Sequence, residues 1–260
     1  MGGAPVKWEK LTSAEIDAID RGVPVLLNVA AIEQHGPHLP LDTDAAIGRH
    51  FTDQLDARDP EAQLILPQIK VCCSAHHMDY PGTLSVGHRV LLDYASGVLD
   101  SARRAGFSIF LVLNSHGGNQ AIAQVLLEEF GAMHTDCTVA LATWWTLARE
   151  ELARISESGP QGTGHACELE TSLMMHADAV PADLELPAGE RYVSLFDWND
   201  GSMLHGAKAA VYRSMREISG GSGVVGQPDA ASAAKGERIS AAVTDALARV
   251  VEDLRRSGAA

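Results

Sequence analysis

Apolar runs alternate with stretches of helical spacing along this chain, and that alternation is the feature that most restricts its fold. Residues 25–32 and 108–114 are predominantly apolar, as expected for strands that are buried on both faces of a parallel sheet. Residues 43–56, 89–105 and 119–134 have the apolar spacing of helices. The alternation predicts a three-layer α/β/α sandwich with a mainly parallel central sheet.

The rest of the chain adds elements with weaker signals. They are a short helix capped by Thr12 or Ser13 and ending near residue 21, a strand at 63–72 interrupted by Pro67, a strand at 137–144, a helical stretch to about residue 155, and a helix at 230–256. Glycine, serine and proline accumulate between residues 181 and 235, which predicts loops with one or two short strands. We interpret 187–235 as an excursion from the fold, so a single domain over 1–260 is predicted.

Composition restricts the partners and the compartment. The chain has 20 basic and 34 acidic residues and a formal net charge of −14, which disfavours nucleic acid and anionic membrane surfaces as partners. Its four cysteines have no C-x-x-C spacing, the first 22 residues lack the apolar run of a signal peptide, and no run of 18 apolar residues is present. These features predict a soluble, cytoplasmic protein.

The first polar cluster follows the first predicted strand directly, in residues 32–44. Glu33 and His35 are two apart, so an extended backbone points both side chains the same way, and Asp44 follows at the start of the next helix. Carboxylate oxygen combined with imidazole nitrogen suits Zn²⁺, Mn²⁺ or Fe²⁺. The alternative is a polar loop in which Asp44 caps the helix.

Two further clusters contain histidine. His116 lies between Asn114 and a glycine pair directly after the second clear strand, where the alternative is a phosphate-binding turn. His165, Glu168 and Glu170 lie at the predicted start of a helix, where the alternative for the two acids is ordinary N-terminal helix charge. Within one helix, Glu168 and Glu170 are about 200° apart around the axis, so only one of them faces a site, and His165 could share a face with Glu168.

Three other features have open interpretations. Residues 221–226 match the dinucleotide glycine pattern but do not follow a predicted strand, which argues against nucleotide binding. His76 and His77 either line a pocket or are exposed loop residues. Trp144 and Trp145 either form an apolar pocket wall or pack in the core.

Taken together, the motifs resemble those of the creatininase family. The resemblance is carried by EQHGPH at 33–38, NSHGGN at 114–119, GHACELETS at 164–172, YPGTLS at 80–85 and GVVGQP at 223–228, and it spans about residues 25–240. It implies a three-layer fold, two divalent metal ions per subunit (Zn, Mn or Fe) and often a homohexamer.

The resemblance also implies roles for individual residues. Glu33 and His116 are expected to bind one metal ion and His35 the other, with Asp44 bridging the pair, while His165 matches the catalytic histidine of the family.

The chain departs from the creatininase pattern at two positions. Gly118 stands where creatininase has a glutamate that completes the shell of the second metal, and Gln161 stands where it has a tryptophan. Glu168 is predicted to replace the missing ligand and to act as a catalytic residue, with Glu170 as the fallback.

The function that the resemblance implies is hydrolysis of a small-molecule substrate, a cyclic or related amide, by a hydroxide held between two divalent cations. Metal binding can lower the pKa of water from 15.7 to about 7, and His165 is expected to transfer the proton to the departing nitrogen. Other reactions stay open for the same site: cleavage of a formamide, of a peptide end, or of a carbon–carbon bond in a cyclic ketone. A non-catalytic metal-binding regulatory protein and a nucleotide-binding α/β protein are the rivals from other classes.

Overall fold

The computed structural model describes residues 7–181, 183–192, 194–199, 201–206 and 208–258. The two ends of the predicted 1–260 domain, residues 1–6 and 259–260, lie outside the described residues. A parallel four-stranded sheet of order β2-β1-β3-β4 forms the centre, and β5 and β6 form a separate antiparallel pair. The strands are β1 Val25–Val29, β2 Leu64–Ile65, β3 Ile109–Asn114, β4 Thr138–Thr143, β5 Thr163–His165 and β6 Val225–Gly226.

Helices connect and cover these strands. They are α1 Ser13–Ala18, α2 Thr43–Arg58, α3 His88–Arg104, α4 Gln120–Met133, α5 Trp144–Leu147, α6 Arg149–Ile155, α7 Glu168–His176, α8 Met215–Ile218 and α9 Ala233–Gly258. Single 3₁₀ turns lie at Trp8–Lys10, Ala75–His77, Gly117–Asn119, Pro160–Gly162 and Pro228–Ala230. In the described ranges, no helix is long and apolar enough to span a bilayer.

The layers follow from the alternation of side chains along the central strands. Leu26 of β1 and Leu111 of β3 pack with α2, α7 and α9 on one side of the sheet. Leu27 and Phe110, their neighbours in sequence, pack with α3 and α4 on the other side. Because successive strand residues point to opposite faces, both faces of β1 and β3 are buried. This arrangement confirms the predicted α/β/α sandwich with a parallel sheet.

Several element boundaries differ from the prediction. The strand predicted at 63–72 is reduced to the two residues of β2. Pro67 interrupts the ladder because it has no amide hydrogen, and beyond it the chain stays beside β1 with a one-residue shift of register, since Ile69 pairs with Val29. The strand predicted at 25–32 ends at Val29, and the amide of Ala30 instead donates to the carbonyl of Ile69. The loop-rich region after residue 181 contains β6, as expected, and also the short helix α8, which was not predicted. The carboxyl ends of β1 and β3 therefore remain neighbours at one edge of the sheet.

Candidate metal centre

The loop after β1 places Glu33 and His35 together, each about 1% exposed. The loop folds back on itself, since the amide of Glu33 donates to the carbonyl of Leu41 at 2.9 Å. Gly36 has a φ of +64°, and a Cβ atom there would lie 2.6 Å from Cγ2 of Val224. Glycine is therefore required at this turn for both its backbone conformation and its close packing.

Asp44 lies in the first turn of α2, and its carboxylate faces two histidines. Oδ1 is 3.4 Å from Nε2 of His35, and Oδ2 is 3.0 Å from Nδ1 of His116. The N-cap residue of α2 is Asp42, so the alternative in which Asp44 caps the helix is wrong. Asp44 is instead buried between the loops that follow β1 and β3.

His116 reaches the same place from the end of β3. Its amide donates to Oδ1 of Asn114 at 3.1 Å, which fixes the turn, and its Nε2 lies 3.2 Å from Oε2 of Glu33. The structure thus brings Glu33, His35, Asp44 and His116 into one buried cluster, as expected for residues at the carboxyl ends of neighbouring parallel strands.

His165 ends β5 and joins this cluster. Its Nε2 is 2.7 Å from the carbonyl oxygen of Gln34, and its Nδ1 is 3.8 Å from Oε1 of Glu33. Because a carbonyl oxygen only accepts hydrogen bonds, Nε2 carries the proton in this contact, and the lone pair of Nδ1 faces the carboxylates. His165 lies in a strand, so the prediction that it shares a helical face with Glu168 is wrong.

The two acids of the third cluster point in different directions from α7. Oε1 of Glu170 lies 4.0 Å from Nε2 of His35, and Glu170 is buried at the cluster. The carboxylate of Glu168 instead accepts from Nζ of Lys235 at 2.6 Å and from Oγ of Ser156 at 2.8 Å. The prediction that Glu168 faces the site is therefore wrong, and the fallback residue Glu170 is there in its place. The two side chains point in different directions because Glu168 and Glu170 are about 200° apart around the helix axis.

Two residues at the site were not identified as such from the sequence. His77 is buried, with Nε2 at 3.2 Å from Oε1 of Glu33, and its Nδ1 accepts from the side-chain amide of Gln34 at 3.0 Å. His76 is half-buried and lines the same cavity. Both follow β2, whose carboxyl end lies at the same edge of the sheet as those of β1 and β3. Their position after a predicted strand is the feature of the sequence that could have identified them as site residues.

The electrostatics of the cluster suit a bound cation. Burial alone would lower the pKa of His35, but the carboxylates of Asp44, Glu170 and Glu33 together outweigh it and raise that pKa to about 9. Burial, opposed by His35, raises the pKa of Glu170 to about 7. Oε2 of Glu33, Nε2 of His35 and Oδ2 of Asp44 are buried without a hydrogen-bond partner in the described part of the chain. Buried polar atoms without partners are costly, and a divalent cation is the group that their chemistry fits.

A cavity of about 240 Å³ opens onto the cluster. Trp145, Met203 and Met215 supply apolar wall, so the pocket-wall interpretation holds for Trp145. Trp144 is 1% exposed and packs in the core.

The glycine-rich residues 221–226 do not form a dinucleotide site. They follow the short helix α8 and lead into β6, whereas a dinucleotide site needs a strand, a glycine-rich turn and a helix in that order.

Comparison with known proteins finds relatives over nearly the whole chain. The model of the creatininase (creatinine amidohydrolase) family matches residues 9–251. A mycofactocin precursor peptide peptidase of Mycobacterium tuberculosis is 32% identical over 254 residues, covering 87% of this chain and 84% of the relative. A 3-dehydro-scyllo-inosose hydrolase of Thermotoga maritima is 25% identical over 249 residues, covering 88% and 77%.

Solved structures share the fold. A crystal structure of creatinine amidohydrolase (creatininase) matches with a TM-score of 0.80 at 19% identity and covers 96% of this chain and 98% of that one. Structures described as creatininase Mn and as a Zn–Zn type creatininase mutant match with TM-scores of 0.76 and 0.77, each at 20% identity and with the same coverage.

Proposed function

Since the chain belongs to the creatininase family and is an amidohydrolase, we propose that it hydrolyses a small cyclic or related amide with two divalent cations per subunit. The observation that supports this proposal is the set of buried ligand atoms on Glu33, His35 and Asp44 that make no hydrogen bond and converge at the floor of the cavity. Without a cation, these buried polar atoms would have only ion-pair contacts with neighbouring side chains, which compensates their burial incompletely.

The cluster offers ligands for two neighbouring cations. Glu33 and His116 would bind one, His35 and Glu170 the other, and Asp44 lies between the two sets. Ligand atoms of Glu33, His35 and Asp44 lie within 4.8 Å of one another, as do those of His35, His165 and Glu170. Mixed carboxylate and imidazole ligands suit zinc, manganese or iron. The related creatininase structures described as Zn–Zn and Mn forms support this range.

When bound, the cations would polarise the amide carbonyl and lower the pKa of water so that a nucleophile forms at neutral pH. His165 would then transfer the proton. Its Nδ1 lone pair faces the cluster, so this atom can accept a proton there and later donate it to the departing nitrogen. The carbonyl of Gln34 keeps the ring in the required tautomer by accepting from Nε2.

The cavity restricts the substrate to a small group with an apolar side. Its polar floor is the ligand cluster, while Trp145, Met203 and Met215 provide apolar surface. A second candidate substrate is a peptide end, because the relative from Mycobacterium tuberculosis is named a precursor peptide peptidase. The Thermotoga maritima relative supports testing cyclic ketones as well.

Exhaustive chelation is expected to abolish activity, and added Zn²⁺ or Mn²⁺ is expected to restore it. The assay uses a panel of lactams, formamides, short peptides and cyclic ketones. His165→Ala serves as the matched control, because it should keep its metal and lose activity about 10²–10⁴-fold through loss of proton transfer. Full activity of the chelated protein would rule out the proposal, and the substrate that is hydrolysed decides between the candidates.

We propose further that the protein is a single-domain cytoplasmic homohexamer whose partners include neither nucleic acid nor membranes. All four cysteines are free, which suits a reducing compartment. Val90 and Tyr94 of α3 and Met133 of α4 are large apolar side chains that are exposed, as expected of a surface that another subunit covers. Sedimentation equilibrium should give the mass of six 27.6-kDa chains, and a monomer mass would contradict the proposed assembly.

A further inference from the structure

The buried side-chain amide of Gln34 lies between two backbone groups that fix its orientation. Its Oε1 accepts from the amide of Gly36 at 2.9 Å, and its Nε2 donates to the carbonyl oxygen of Gly223 at 3.2 Å. A backbone amide only donates and a carbonyl oxygen only accepts, so a reversed side chain would oppose donor to donor and acceptor to acceptor. The orientation of the Gln34 amide is therefore determined at both of its ends.

The glycine-rich residues 221–226 contribute one of these two backbone groups. Gly223 has a φ of +78°, and a Cβ atom there would lie 2.2 Å from Oε1 of Gln34. A side chain at position 223 would thus displace the amide of Gln34, so glycine is required for this close approach. The segment brings a carbonyl oxygen against Gln34 and encloses its side chain.

The orientation of Gln34 decides which nitrogen of His77 carries the proton. Nε2 of Gln34 lies 3.0 Å from Nδ1 of His77 and has a second N–H to donate. Because this contact needs an acceptor on the ring, Nδ1 of His77 has the lone pair and Nε2 carries the proton. That Nε2 lies 3.2 Å from Oε1 of Glu33, so His77 presents a hydrogen-bond donor to the carboxylate.

His165 presents the opposite kind of atom to the same carboxylate oxygen. Its Nε2 donates to the backbone carbonyl of Gln34 at 2.7 Å, so it has no lone pair for the Gln34 side-chain nitrogen 3.2 Å away. Its Nδ1, 3.8 Å from Oε1 of Glu33, therefore has the lone pair. Of these two imidazoles beside Oε1, only His77 offers an N–H. Gln34 sets both tautomers, that of His165 through its carbonyl and that of His77 through its side chain.

We propose that His77 is a positioning residue that holds the carboxylate of Glu33 in place for its cation, and that Gln34 keeps His77 in the donating tautomer; this inference rests on the proposed two-metal function. His77 engages Oε1 and leaves Oε2, which makes no hydrogen bond within the described part of the chain, available to the cation. A hydrogen bond of this kind orients a ligating carboxylate before the metal ion arrives. His77 is not itself a ligand, because Gln34 occupies the lone pair of its ring.

The test is Co²⁺ binding to metal-free protein, followed by visible absorption, which reports the ligands of the ion and their geometry. Wild type should bind two ions per chain. His77→Phe, which fills the space of the ring but has no N–H, should also bind two, one of them about 10–100-fold more weakly and with altered absorption. The control is His50→Phe, the same change at a half-buried histidine that contacts Ser240 of α9. It should match wild type in affinity and absorption.

Two amide variants identify the atom of His77 that matters. The side chain of His77→Gln is long enough to place an N–H near the position of Nε2, whereas the shorter side chain of His77→Asn places it near Nδ1. His77→Gln should therefore restore the affinity and absorption of wild type, and His77→Asn should resemble His77→Phe. A ring that only filled space would not distinguish the two amides in this way.

Wild-type affinity and absorption in His77→Phe, or equal behaviour of the two amide variants, would overturn the assignment of His77 and leave the proposed function standing. Loss of one ion from every His77 variant would also overturn it, because His77 would then be a ligand. Absence of Co²⁺ binding to wild type would overturn both proposals. Circular dichroism of the metal-free variants shows whether they are folded, and if His77→Phe is not, the two amide variants decide.

Discussion

An Asp44→Asn variant is expected to lose both cations on dialysis and to lose hydrolytic activity by about 10³-fold or more, because water would no longer be activated at neutral pH. Asp44 is the residue whose two carboxylate oxygens face different histidines, Oδ1 toward His35 and Oδ2 toward His116. Asparagine keeps the shape but offers one oxygen and no charge, so it cannot serve both positions. Metal content by mass spectrometry and kcat/KM on the identified substrate are the measurements.

The control for this variant is Asp53→Asn, which makes the same chemical change in the same helix. Asp53 forms a surface ion pair with Lys7 at 2.5 Å and lies away from the cluster. The Asp53→Asn variant should retain both cations and full activity, and its free energy of unfolding should change by no more than about 1 kcal/mol. An Asp44→Asn protein that kept both its metal content and its activity would contradict the proposed site.

The positions of Glu33, His35 and His116 could be predicted because each follows a buried strand within a few residues. The apolar runs fix where β1 and β3 lie, and parallel strands end at one edge of the sheet. Asp44 could be predicted for a related reason, since it begins the helix that the same loop leads into. The local pattern was sufficient here because short loops leave little freedom between a strand and the polar residues that follow it.

The choice between Glu168 and Glu170 could not be made from the local pattern. Both residues lie in the first turn of α7, and which of them faces the cluster depends on how that helix is rotated against its neighbours. The rotation is set by α9, which approaches so closely at Gly236 that a Cβ atom would lie 2.0 Å from the carbonyl oxygen of Ser172. Lys235, the partner of Glu168, is 67 residues away in sequence.

The position of His76 and His77 at the site could not be predicted for a different reason. The predicted strand at 63–72 is reduced to two residues and the isolated pair of Ile69 with Val29, and irregular backbone then leads to the histidines. A sequence pattern does not show where such a segment leads, because irregular backbone has no periodicity.

The two acids of α7 also give the sharpest experimental contrast. Glu170→Gln is expected to lose one of the two cations and to reduce activity about 10²-fold or more, since a carboxylate beside His35 would be replaced by a neutral amide. The metal-free variant should be nearly as stable as wild type, within about 1 kcal/mol. Burial already raises the pKa of Glu170 to about 7, so the loss of its charge removes little stabilisation.

Glu168→Gln is the matched variant, with the same change two residues earlier. It should keep both cations but lose about 2–4 kcal/mol of unfolding free energy, because Lys235, which is only 8% exposed, would lose its buried carboxylate partner and keep only the exposed carboxylate of Glu157. Metal content, kcat/KM and urea unfolding of both variants are the measurements. If Glu168→Gln lost metal and Glu170→Gln lost only stability, the ligand would be Glu168. The rotation of α7 described above would then be incorrect, because the two carboxylates cannot both face the cluster from one helix.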